Sequence, residues 1–101
     1  MARDQLETAV GTTGVDARMG RMLHALGDEN RLRIVAALRS GETCVCHLTE
    51  ELHLSQSLLS HHLRVLRMAG LVSDRKDGRW VHYSLVGEAL DSLAAFFSEL
   101  R

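Results

Sequence analysis

The stretch His53-Leu54-Ser55-Gln56-Ser57-Leu58-Leu59-Ser60-His61-His62-Leu63-Arg64-Val65-Leu66-Arg67-Met68-Ala69-Gly70 decides how the whole chain is read. Leu59, Leu63, Leu66 and Met68 recur on one side of a helix, Ser55 carries a hydroxyl suited to capping the first amides, and Gly70 supplies the stop. The other side presents Gln56, Ser57, Ser60, His61 and Arg64, each able to donate or accept a hydrogen bond. Base edges in a major groove are read by such groups near the N-terminal end of a helix, whose positive pole also suits phosphate.

Upstream, Thr43 is the expected cap of a short helix carrying Cys46, Leu48 and Leu52, which stops at His53. Only the turn His53-Leu54-Ser55 separates the two helices, and that is the connection of a helix-turn-helix. Before it, Asp28 caps a helix with the apolar stripe Leu32, Ile34, Val35 and Leu38, ended by Gly41. Met19, Met22, Leu23 and Leu26 mark the first helix, ended by Gly27. Residues 1–14, with their Gly/Thr cluster and weak apolar pattern, read as a flexible N-terminal arm, and residues 15–101 as a single domain.

Downstream, Leu71-Val72-Ser73 and Trp80-Val81-His82-Tyr83-Ser84-Leu85 are rich in strand formers, and Asp77-Gly78 between them is a hairpin signal. Arg75, Lys76 and Arg79 crowd the expected tip, where a wing would reach phosphates or an adjacent minor groove. Val86, Leu90, Leu93, Phe97 and Leu100 form the stripe of a closing amphipathic helix. The expected fold is mainly α with a two-stranded β wing, in the order α-α-α-α-β-β-α: a winged helix-turn-helix.

Composition agrees with one small domain. The chain has 101 residues, 46% hydrophobic and 25% charged, which allows a single core. At this size roughly two-thirds of the unfolded surface is buried on folding, so a partner subunit adds useful stability. No apolar run approaches the roughly 20 residues of a membrane span, and the N-terminus lacks a leader pattern, so the reading is cytoplasmic. The formal net charge is −1, yet residues 54–85 alone carry +3, which concentrates positive charge on the reading helix and hairpin. A phosphate-cradling Gly loop, a nucleophile elbow and paired catalytic carboxylates are all missing from the sequence, so an enzyme is not expected.

Cys44 and Cys46 are the only cysteines. One intervening residue reads as too short for a structural disulfide, which points to reduced-thiol chemistry. By spacing alone, two such residues read more readily as small, partly buried hydrophobes than as ligands. At the start of a helix they are also positioned to have depressed pKa values and to face one thiophilic ion. His61 and His62 point roughly 100° apart on a helix, so packing or a DNA contact suits them better than shared metal ligation. His24, His53 and His82 read as surface or interface residues, and Trp80 and Tyr83 as packing residues of the hairpin.

Leu26-Gly27-Asp28-Glu29-Asn30-Arg31-Leu32-Arg33-Ile34, Gly41 to Leu48, Ser55 to Leu63 and Gly70 to Tyr83 together resemble the ArsR/SmtB family of metal-sensing transcriptional repressors, over about residues 19–85 and without insertion. The resemblance implies a dimeric winged helix-turn-helix that holds operator DNA without an inducer and releases it when a metal or metalloid binds. It puts Gln56, Ser57, Ser60, His61 and Arg64 on the recognition helix and Arg75, Lys76 and Arg79 on the wing. Met19, Met22, Leu23, Leu26, Leu90, Leu93 and Phe97 then belong to a homodimer interface of first and last helices.

Cys44-Val45-Cys46 lies where the arsenic-responsive branch carries its metal box, which implies Cys44 and Cys46 as metal ligands and As(III) or Sb(III) as inducer. His47 and Thr49 depart from that branch: an Asp is usual at the first, and the third arsenic-binding cysteine at the second. The branch sensing cadmium, lead or zinc adds cysteines from the N-terminal arm, which has none here, and the last-helix site of the family meets Gly87, Ala89 and Leu100. The implied function is a sequence-specific DNA-binding repressor released by arsenite or antimonite and needing no cofactor to bind double-stranded operator DNA. The alternatives are release by cadmium, lead or zinc, or a thiol-based redox or sulfide response.

Overall fold

The computed structural model describes residues 16–101; the arm expected over 1–14 lies outside them. Asp16 accepts the Met19 amide at 2.8 Å and starts α1 (Ala17–Leu26), which buries Met19, Met22 and Ala25. Asp28 accepts the Arg31 amide at 3.1 Å and starts α2 (Glu29–Ala37), which runs into a 3-10 turn over Leu38–Ser40. Ile34 and Leu38 are fully buried as expected from the α2 stripe, but Leu32 is 51% exposed. It lies some 200° around the helix from Ile34, a displacement that a stripe drawn through every apolar residue overlooks.

After the turn, β1 (Thr43–Cys44) leads directly into α3 (Val45–Leu52). Two expectations are corrected here. Thr43 does not cap α3; it lies in β1 and its hydroxyl donates to the Gly41 carbonyl at 2.9 Å, while the Cys44 side chain takes the cap position. The hairpin, β2 (Val72–Asp77) and β3 (Trp80–Leu85), is likewise not alone: β1 pairs antiparallel with β3, giving a three-stranded sheet in the order β1-β3-β2. β2 also runs further than Leu71-Val72-Ser73, so Arg75 and Lys76 stand on a strand and the turn narrows to Gly78 and Arg79. Gly78 at φ +64° supplies the positive torsion that this two-residue turn needs.

The reading helix, α4 (Gln56–Met68), begins at Ser55, whose Oγ accepts the Leu58 amide at 3.1 Å. Its buried side is Leu59, His62, Leu63 and Leu66, whereas Met68 is 68% exposed. Each fully buried leucine contributes about 1.5–3 kcal/mol of burial energy, so α4 is seated firmly on α1, α2 and α3. Gly70 at φ +82° ends it, with the Leu71 amide returning to the Leu66 carbonyl at 3.0 Å. The last helix, α5 (Gly87–Glu99), buries Ala89 and Leu93 and leaves Phe97 and Leu100 exposed.

The cap at Ser55 is testable. Ser55→Ala leaves an amide of the first turn of α4 without its partner and should lower the unfolding free energy by about 1 kcal/mol in urea denaturation, while Ser55→Asp retains it. Equal stability of wild type and Ser55→Ala would show that the cap contributes nothing.

Candidate nucleic-acid interface and thiol centre

Cys44 has extended torsions and is at once the last residue of β1 and the N-cap of α3; its Sγ accepts the Cys46 amide at 3.2 Å. The bend between strand and helix brings the Cα atoms of Cys44 and Cys46 to 5.3 Å, and their sulfurs are in bonding contact as a disulfide. The expectation that one intervening residue is too short for a disulfide is corrected: the change from strand to helix at Val45 puts the pair inside the usual Cα range. Cys44 is half-buried and Cys46 exposed, so the pair is open to solvent rather than sealed in the core.

The sulfurs open into a cleft of 550 Å³ between the start of α3, the start of α4 and the wing. Its lining includes Thr49, Gln56, Ser60, Arg79 and Trp80 beside the two cysteines. Thr49 lies on α3 with its hydroxyl donating to the Cys46 carbonyl at 2.8 Å. Among the described residues, no group of three or more His, Cys, Asp and Glu is arranged to hold a metal ion. When reduced, the pair therefore offers two soft donors, with no third His, Cys, Asp or Glu grouped with them among the described residues.

Gln56, Ser57, Ser60, His61 and Arg64 are all exposed on α4, and Gln56 and Ser60 turn towards the cleft. The wing cations divide. Arg75 is held bidentately by Glu42, through Nε at 3.0 Å and Nη2 at 2.8 Å, so it ties β2 to the segment ahead of β1. The Arg75 guanidinium holds the Glu42 carboxyl below the usual carboxylate range. Arg79 stacks over Trp80 at 5.1 Å, and Lys76 is exposed on β2.

A polar cluster that sequence reasoning missed seats α4. Arg31 Nε donates to the Ala25 carbonyl at 2.6 Å and its Nη1 lies 3.1 Å from His62 Nδ1. With a guanidinium donor there, His62 Nδ1 acts as the acceptor of the neutral imidazole. Asp28 Oδ2 stands 3.9 Å from the same nitrogen. Burial pushes His62 below its ordinary value near 6.5, Asp28 opposes this, and Arg31 and His61 reinforce it. The signal was present in the spacing, since His62 follows Leu59 by three and precedes Leu66 by four. Arg33 adds a second tie, donating to the Leu52 carbonyl at the end of α3 at 2.9 Å.

Of the residues assigned to a homodimer interface, Met19, Met22 and Leu93 are buried within the subunit's own core. Leu23 is exposed, Leu26 and Leu90 are half-buried, and Phe97 is 51% exposed. Among the described residues no helix is long and apolar enough to cross a membrane.

Three-helix support, a reading helix after a tight turn, and a hairpin folded beside it define a winged helix-turn-helix. Residues 28–74 match the family described as bacterial regulatory protein, arsR family. The chain is 50% identical over 66 residues to the arsenical resistance operon repressor of Escherichia coli (strain K12), covering 64% of this chain and 56% of that protein. The match spans about half the length of that repressor and of the arsenic resistance transcriptional regulator ArsR1 of Pseudomonas putida. A crystal structure described as a possible transcriptional regulator for arsenical resistance superimposes with a TM-score of 0.72 at 41% identity, over 79% of this chain and 83% of that one. Reduced HlyU from Vibrio cholerae N16961 superimposes at 0.70 with 34% identity, over 93% and 90%. The chain belongs to the arsR family, a family of regulators and not of enzymes.

His62 makes stability depend on pH with a definite sign. Its folded pKa lies below its unfolded value, so the unfolded chain binds the proton more readily and stability, complete above about pH 6.5, falls as the pH drops. Chemical denaturation between pH 7.5 and pH 5.5 should show a loss, limited to about 1.4 kcal/mol per pH unit for one proton, that His62→Gln flattens and His61→Gln does not. A slope indifferent to His62→Gln would remove this residue as its source.

Proposed function

We propose that this protein is a sequence-specific transcriptional repressor that binds double-stranded operator DNA as a cytoplasmic homodimer and is released when arsenite or antimonite binds Cys44 and Cys46. The observation that carries this reading is the shared cleft: the two sulfurs line the same walls as Gln56 and Ser60 of the reading helix and Arg79 of the wing. In the dithiol form the pair fits a thiophilic ion. Occupying it alters the first turn of α3 and the edge of the wing sheet together, because Cys44 belongs to both. Release then requires only that the ion bind the DNA-incompetent arrangement more tightly, and a coupling of about 1–3 kcal/mol is typical. The names of the relatives similar to this chain favour arsenic over cadmium, lead or zinc.

The reading face is Gln56, Ser57, Ser60, His61 and Arg64, with Lys76 and Arg79 adding phosphate contacts from the wing. Arg75, engaged by Glu42, positions the wing. The half-exposed apolar groups of α1 and α5, Leu23, Leu26, Leu90 and Phe97, supply the dimer contact.

A second reading is favoured by one observation: the sulfurs are in bonding contact. Oxidation of the pair to a disulfide would act on the same strand-to-helix junction as a shared ion, which makes a redox response of the same repressor the alternative.

Fluorescence anisotropy with the DNA upstream of the gene tests both. Cys44→Ser with Cys46→Ser should keep DNA affinity and lose release by arsenite and antimonite; a double variant that arsenite still releases overturns the sensor assignment. Peroxide added to the reduced wild type separates oxidation from ion binding, since only the redox reading expects it to release DNA with no metalloid present. Arg64→Ala and Gln56→Ala should weaken specific binding by about 1–3 kcal/mol each with little effect on nonspecific binding. Lys76→Ala should weaken all sequences alike and lower the salt slope by about 1. Equal losses on every sequence for Arg64→Ala and Gln56→Ala would contradict base reading.

A further inference from the structure

Arg75 and Arg79, the two arginines of the wing, are held in opposite ways. The Glu42 carboxylate grips Arg75 through Nε at 3.0 Å and Nη2 at 2.8 Å, so that cation is matched by an anion where it stands. The guanidinium carbon of Arg79 instead lies 5.1 Å from the centre of the Trp80 ring. Among the described residues no carboxylate forms a salt bridge with Arg79. An indole attracts a guanidinium through its ring quadrupole and covers a flat face, whereas the N–H donors lie in the plane of the group and project from its edges. Stacking therefore restrains the side chain and leaves both its charge and its donors free.

The core does not account for the position of the indole. Trp80 is the first residue of β3, opposite Asp77, and remains 47% exposed. It lines one cleft with Arg79, Gln56 and Ser60, which puts the stacked pair on the side of the wing that faces α4. Arg79 itself sits in a two-residue turn, where a long exposed side chain has many rotamers to lose on meeting a phosphate. A stack that has already removed part of that freedom lowers the cost of the contact.

We propose that Trp80 is a positioning residue for DNA binding: its indole pre-organises Arg79 beside the reading helix for contact with a phosphate. This rests on the reading of Arg79 as a phosphate contact of the wing. The indole carries no charge, so it alters the strength of that contact and not the number of phosphates neutralised. Its loss weakens every duplex alike and leaves the dependence on salt as it was.

The test is a set of anisotropy titrations of the thiol-reduced, metalloid-free protein over a range of salt concentrations. Two duplexes serve: the DNA upstream of the gene, and a shuffled duplex of the same length and composition. Arg79→Ala should weaken both and lower the salt slope by about 1 per wing. Trp80→Ala and Trp80→Leu should weaken both by about two- to fivefold per wing at an unchanged slope, and Trp80→Phe, which keeps a ring, should recover part of the loss. In an Arg79→Ala background the same Trp80 substitutions should cost nothing further. Full affinity in Trp80→Ala and Trp80→Leu, or an equal loss with and without Arg79, overturns the inference and leaves the wing contact standing. An Arg79→Ala variant with the affinity and salt slope of the wild type overturns the wing contact and the inference together.

Discussion

The backbone at Cys44 is the constraint on which the remainder depends. A single residue ends the edge strand of the wing sheet and caps the helix that precedes α4, so the cysteine pair is built into the junction of the wing sheet and the helix-turn-helix. The strand is only two residues long, Thr43 opposite Tyr83 and Cys44 opposite His82. Backbone hydrogen bonds contribute about 0.5–1.5 kcal/mol each, so so short a pairing is a weak attachment by itself. Glu42, immediately before β1, reinforces it by gripping Arg75 on the far strand β2, and the three strands are thereby laced across their whole width. On the proposed reading, a change in chemistry at the sulfurs would act on this short pairing, which Glu42 connects to the far strand.

The reading helix needs the opposite property. Its leucines are sunk in the core, and its polar ties come from α2: Arg31 reaches both the end of α1 and His62, while Arg33 holds the carbonyl at the end of α3. His62 is accordingly part of the seating of α4, although its neighbour His61 faces solvent. A stiff helix beside a lightly attached sheet edge is an arrangement in which small movements alter the spacing between reading helix and wing without unfolding either.

The parts legible in the sequence are those decided locally. Caps at Asp28 and Ser55, stops at Gly27 and Gly70, and the three-to-four spacing of Leu59, Leu63 and Leu66 are each set by residues within a few positions of one another, and the observed helices follow them. The strand β1 had no such signature, because two residues carry no periodicity and their pairing partner lies some forty positions away. The disulfide was hidden for the same reason: the separation of the sulfurs depends on the change from strand to helix at Val45, and the strand half of that change is paired with the distant β3. Apolar identity misled where a helix has more apolar residues than its buried side accepts, as at Leu32 and Met68, and the burial of Met19 and Met22 inside the subunit leaves less of α1 for a partner than the stripe suggested.

Charge shows how placement revises a count. The reading helix and hairpin carry +3 in sequence, but Arg75 spends its Nε–Nη2 edge on Glu42, whose carboxylate sets a negative charge directly beside that cation. Because each phosphate neutralised adds to counterion release, a subunit left with Lys76 and Arg79 on its wing gains less nonspecific affinity than its formal charge implies. In the proposed repressor, discrimination between sequences then falls to the reading face of α4, Arg64 included, and sufficient affinity to a second subunit reading a second half-site. On the proposed reading that division of labour suits a sensor at the sulfurs: the cleft they line also touches Gln56, Ser60 and Arg79, so a ligand there would act on the proposed base-reading groups and the wing cation together.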